Sequence, residues 1–142
     1  MSNVQITVDQ FRKAAVERFA FLEAQGFRHA VELEETASTF GTVVYLGKNI
    51  GFVFSFDVRD QCIDGEVAKV SQGKLQRNWE GGYSSNIFTH LVKHAGYRGK
   101  PGGAGKVADS TSLKRMLDAW AELLMQACRL LLEDRADALP VA

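Results

Sequence analysis

The sequence predicts an α+β domain: an N-terminal helix packed on a three- to four-stranded antiparallel meander, followed by a short helix and a long C-terminal helix. Three observations predict it. Apolar residues recur at helical spacing through Phe11, Ala15, Phe19 and Leu22; three runs rich in Val, Phe, Tyr and Ile follow across short polar breaks; and a broad apolar face runs from Leu113 to Leu132. With 142 residues, 46% of them apolar, the chain is long enough to bury a core as one domain, 1–142, without disulfides or metal. The same apolar fraction excludes intrinsic disorder, and 13 Gly against 2 Pro excludes a collagen-like chain.

Each element has its own signal. Thr7 or Asp9 can cap the first helix, and Gly26 is placed to end it in a left-handed turn before apolar Phe27. Residues Phe27 to Glu34 alternate weakly and read as a first strand with Glu32, Glu34 and Glu35 facing water. Stronger strands cover Thr42–Leu46, Ile50–Val58 and Cys62–Val70, joined by Gly47-Lys48-Asn49 and Arg59-Asp60-Gln61, both short enough to be hairpin loops. In the middle strand Phe52, Phe54, Phe56 and Val58 share one face and Val53, Ser55 and Asp57 the other, so one face is dry and the helix stripe is its cover. After Ser71-Gln72-Gly73 the period is lost. Ser84 or Ser85 can cap a short helix through Ile87, Phe88, Leu91 and Val92 ending at Gly96, and Gly99 to Lys106 reads as a flexible loop. The last helix starts near Asp109 or Ser110, and its breadth permits, without requiring, a dimer.

Seventeen basic and seventeen acidic side chains cancel, which argues against a strongly basic nucleic-acid binder. The charge is uneven along the chain: net −4 over 1–66, +6 over 67–107 and −2 over 108–142. The basic stretch can attract anions or pair with the acidic remainder of the molecule. No window resembles a membrane span, and the N-terminus lacks the features of a signal peptide, so the expectation is a soluble, cytoplasmic protein. Cys62 and Cys128 fit small buried thiols better than a bridge.

Candidate chemistry is sparse. The run Gly99 to Lys106 has Lys100 six residues before Lys106 and Val107 after it, so it lacks both the glycine and the hydroxyl of a phosphate-cradling loop. His90 and His94 share one face of a predicted helix, as in zinc sites, but Leu91 stands where a zinc protease needs Glu and no third ligand is evident. Asp57, Asp60, Asp64 and Glu66 gather around a hairpin, where a solvated face or a partner-binding patch outweighs acid/base catalysis. Arg77, Trp79, Glu80 and Tyr83 combine aromatic surface with charge: Trp79 closes the sheet, anchors a protein interface, or stacks bases of single-stranded nucleic acid. No nucleophile sits in an activating context, so no enzyme and no cofactor is predicted.

The strand, D-x-R-D turn and return strand from Phe52 to Val67, preceded by the helix ending Phe19-x-x-Leu22-x-x-x-Gly26-Phe27, resembles the helix-then-meander layout of small bacterial immunity-type proteins encoded beside polymorphic or contact-dependent toxins. The resemblance covers about Phe11 to Val70. It implies a cytoplasmic protein that binds a cognate toxin domain and blocks it, with no catalytic residues of its own. Its contact surfaces would be the acidic hairpin (Asp57, Asp60, Asp64, Glu66) and the aromatic segment (Arg77, Trp79, Glu80, Tyr83). The neutral net charge departs from the strongly acidic inhibitors of nuclease toxins. The alternative is a nucleic-acid-binding module using the basic, aromatic segment 67–107.

Overall fold

In the computed structural model the described residues are 5–76, 84–86, 105–107 and 109–127. Helix α1 (Val8–Phe19) begins in a capping box, with the Thr7 hydroxyl accepting from Gln10 N and the Gln10 side chain accepting from Thr7 N. After a one-residue break at Ala20 a short turn, α2 (Phe21–Ala24), continues the stripe. It closes as the sequence predicts: Gly26 takes φ +101°, Gly26 N donates to Glu23 O and Phe27 N to Leu22 O. Those two bonds satisfy the last carbonyls of the helix and need a residue that tolerates positive φ.

The sheet runs β1 (Arg28–His29), β2 (Phe40–Leu46), β3 (Ile50–Asp57), β4 (Cys62–Ser71) and β5 (Lys74–Gln76), all neighbours antiparallel. Two further strands, β6 (Ser84–Asn86) and β7 (Gly105–Lys106), also pair with β4. Three expectations are corrected here. The chain does not lose its pattern after Gly73: Gln72 and Gly73 at φ 54° and 75° make a tight primed turn into β5. Ser84–Asn86 form a strand against Glu66–Ala68, where a helix start was expected. Gly105–Lys106, expected in a loop, pair with Ile63 and Cys62. In each case the partner strand supplies the hydrogen bonds, so pairing outweighs weak local propensity. The expected helix over 87–96 and the end of the C-terminal helix lie outside the described residues.

Alternation in β3 sets the layers. Its inner face, Phe52, Phe54 and Phe56, is fully buried under α1 and α2, with Phe19 stacked on Phe54 at 3.8 Å between centroids, Phe11 on Phe56 at 5.3 Å and Phe27 edge-on to Phe52 at 5.2 Å. Helix α3 (Ser110–Ala127), capped by Asp109 through Ser112 N, adds Leu113, Leu117, Trp120 and Leu124 to this core, and Arg18 of α1 pairs with Asp118. On the outer face Ala30, Val44, Leu46, Val53 and Val70 form a second, smaller cluster joined by Leu75. There a Cβ on Gly51 would lie 2.6 Å from a Leu75 methyl, so the Leu75 side chain lies over β3 at a position where that strand has no side chain.

Gln61 ties three segments at the hairpin end. It sits at φ 50°, its Nε2 donates to Ile6 O (3.1 Å) and Val58 O (2.8 Å), and its Oε1 accepts from Ile6 N (2.8 Å). Its backbone carbonyl accepts from Val107 N, just before α3. One residue thus joins the entry to α1 and the β3–β4 turn through its side chain, and the entry to α3 through its backbone. We predict that Gln61→Ala lowers unfolding free energy by about 2–3 kcal/mol in chemical denaturation, because it strands buried backbone groups of Ile6. Gln61→Gly, which relieves the left-handed φ, is expected to lose about 1 kcal/mol less.

Candidate functional site

The sequence places Glu34 in water with Glu32 and Glu35; the structure corrects this, since the Glu34 side chain is 0% exposed. The reason is a break in the edge strand. After β1 the chain makes a single 3₁₀ turn, Val31–Leu33, and returns to the edge of β2 as a strap. Ala30 N donates to Val44 O at 2.8 Å, and Val44 N donates to the Glu34 carboxylate at 2.9 Å. Beyond it Thr42 N donates to Glu35 O, Glu35 N donates to the Thr42 hydroxyl, and Thr36 bridges Gly41. A side-chain oxygen therefore occupies the place in the ladder that a strand carbonyl would fill.

Burying a carboxylate costs several kcal/mol unless it is paired and hydrogen-bonded. Here Arg12 of α1 donates to Oε1, His29 Nε2 donates to Oε2 at 2.6 Å, and Arg12 Nε also reaches Thr42 O at 3.3 Å. His29 stacks on Tyr45 at 5.1 Å, and the Tyr45 hydroxyl is buried without a partner among the described residues. Burial, and then the nearby Glu23 and Glu34 charges, push the Tyr45 hydroxyl up to about 12. Because Arg12, His29 and Val44 occupy both carboxylate oxygens, Glu34 is a structural tie and is not placed to act as a base.

Of the acids around the hairpin, register puts Asp57, Asp64 and Glu66 on the outer face: Asp57 lies opposite Phe40 and Cys62, Asp64 opposite Ser55, Glu66 opposite Val53. Asp57 and Asp64 are thus diagonal neighbours, about 7–8 Å apart along the sheet. Asp60 sits exposed in the turn, its amide donating to Asp57 Oδ1 at 3.3 Å. Glu66, only 8% exposed, belongs to the covered end of the face. The outer face is therefore graded, buried at Val44, Leu46, Val53 and Val70, and open at Phe40, Ser55, Asp57, Cys62 and Asp64.

The other predicted contact residues, Arg77, Trp79, Glu80 and Tyr83, and the histidines His90 and His94, lie outside the described residues. Among the described residues no group of three His, Cys, Asp or Glu side chains is arranged to hold a metal, and no helix is long and apolar enough to cross a membrane. A groove of about 260 Å³ between α1 and α3, lined by Gln10, Lys13, Ala14, Glu17, Ser110, Leu113 and Lys114, is open to solvent and contains no histidine or cysteine. The strap was not legible from the sequence; its only signal is the opposite charge of Arg12 and Glu34, which stand twenty-two positions apart and which spacing does not connect. Compared with family models, curated proteins and solved structures, the chain matches none.

Two outcomes follow from this geometry. Glu34→Ala is expected to destabilise by about 3–5 kcal/mol, since it strands the Arg12 guanidinium and the Val44 amide, and the loss shrinks when Arg12 is removed as well. Tyr45 ionises at 10.0 when free and at about 12 when folded, so the stability its burial contributes is complete below pH 10 and lost as pH rises toward 12. Tyr45→Phe lacks this loss, and urea unfolding at successive pH values should show it gaining on the wild type across that window.

Proposed function

We propose that this chain is a protein-binding module of the immunity type, which docks on a cognate bacterial toxin domain in the cytoplasm and blocks it by covering its active-site cleft, with no chemistry of its own. The observation that carries the reading is the open, acidic end of the outer face. Asp57, Asp60 and Asp64 stand there on an antiparallel hairpin whose turn Gln61 pins to two other segments. Carboxylates fixed on a rigid sheet, beside a half-exposed Phe40, suit a cationic protein surface of the kind that binds nucleic acid or another polyanion. They would repel a phosphate backbone, so this face favours a protein partner over nucleic acid.

Such charges steer encounter more than they hold the complex. With the toxin domain encoded by the adjacent gene as partner, Asp57→Asn/Asp60→Asn is expected to slow association about tenfold at low salt, with the difference fading as salt is raised and dissociation little changed. Failure of the wild-type protein to bind that domain, or to rescue cells expressing it, would overturn the reading.

A further inference from the structure

We infer that the 3₁₀ turn Val31–Leu33 is a preformed apolar anchor that inserts into an apolar, basic-rimmed pocket on the same protein partner, an inference that rests on the docking reading above. Among the described residues the exposed large apolar side chains are Val31 (57%), Leu33 (42%) and Met125 (55%), so two of the three fall on one three-residue turn. Single exposed apolar residues need no explanation, but a pair held outward by a dedicated device does.

The device is the strap. The chain leaves β2 at Val44, where Ala30 N donates to the Val44 carbonyl, and rejoins it at the same residue, where the Glu34 carboxylate accepts the Val44 amide. Three residues are pinched out between two bonds to one residue. Leu33 N donates to Ala30 O at 3.0 Å and Glu34 N to Val31 O at 3.1 Å, closing the turn on itself. Arg12 and His29 then hold the carboxylate from two other elements. An ordinary edge strand would have kept this segment in line and used Glu34 as a surface residue; here a buried carboxylate fixes Val31 and Leu33 in solvent. A turn already fixed loses little conformational entropy when it docks, which is how anchor residues gain affinity.

Position and charge indicate the occupant. The strap runs on to Glu35 and Thr36, which pair with Thr42 and Gly41 beside Phe40, so the turn flanks the acidic face on its β2 side. Phe40, opposite Asp57, lies four residues along β2 from Val44, a step of about 14 Å that one protein surface spans easily. Around the turn Glu32 is paired with Arg28, which holds its carboxyl down at about 2, and Glu35 is exposed. Glu32 and Glu34 are each neutralised by a basic partner, so the negative charge on this margin is that of Glu35 and, further along the sheet, of Asp57 and Asp64, matching basic side chains around the partner's pocket.

The test is calorimetric titration of the toxin domain encoded by the adjacent gene with wild type, with Val31→Ser/Leu33→Ser and with Lys114→Ser as a control on α3. Both substituted turn residues are exposed, so the double variant is expected to melt with the wild type. Its affinity should fall at least about thirtyfold, the loss typical of removing interface anchors, while the control stays within about twofold. Equal binding by the double variant would overturn the anchor and leave the docking reading standing. Absence of wild-type binding would overturn the docking reading and the anchor with it.

Discussion

One buried carboxylate governs the edge of this sheet. Glu34 is withdrawn from water, and its oxygens are shared among a helix guanidinium, an imidazole and a strand amide. Removing a charge from water is so costly that a side chain in this position is stable only when all three donors are present. It therefore couples α1, β1 and β2: none of the three can shift without leaving a buried charge uncompensated. It also satisfies the free edge of β2 without a full-length partner strand, leaving a bulged strap where an exposed edge would invite pairing with another chain.

A second tie, at Gln61, fixes the opposite side of the fold. Its side chain closes the β3–β4 turn against Ile6, and its carbonyl receives Val107, so both long helices enter from the same point. Between the two ties lies the aromatic core, in which Phe11, Phe19 and Phe27 meet Phe56, Phe54 and Phe52 in order along β3. The polar ties set register and orientation, and ring burial supplies the driving force. With the inner face filled, the proposed docking uses the outer face and its margin.

Much of this was legible because it follows from period. Helical spacing from Phe11 to Leu22, strict alternation in Ile50–Asp57 and the left-handed stop at Gly26 each depend on a few neighbouring residues, and those elements are where the sequence puts them. The strands β5, β6 and β7 were not legible, because each is only two or three residues long and exists by pairing with β4. Glu34 was misjudged for a related reason: an acidic residue beside Glu32 and Glu35 reads as solvated, and only the fold brings Arg12, twenty-two positions away, to neutralise it. In the hairpin, position alone grouped Asp57, Asp60, Asp64 and Glu66, whereas the sheet separates three accessible carboxylates from Glu66 at its covered end.

The two ties also connect the fold to the proposed docking, since both rigidify surface that this proposal sets against a partner: Gln61 the acidic turn, Glu34 the apolar one. Hydrogen exchange at the Val44 amide tests this most directly. If the carboxylate replaces a missing ladder carbonyl, that amide is protected in the wild type to the level of the β3 core amides, and Glu34→Ala accelerates its exchange at least about a hundredfold while the amides of Phe52 and Phe54 change far less. Equal protection of Val44 with and without the carboxylate would contradict the account.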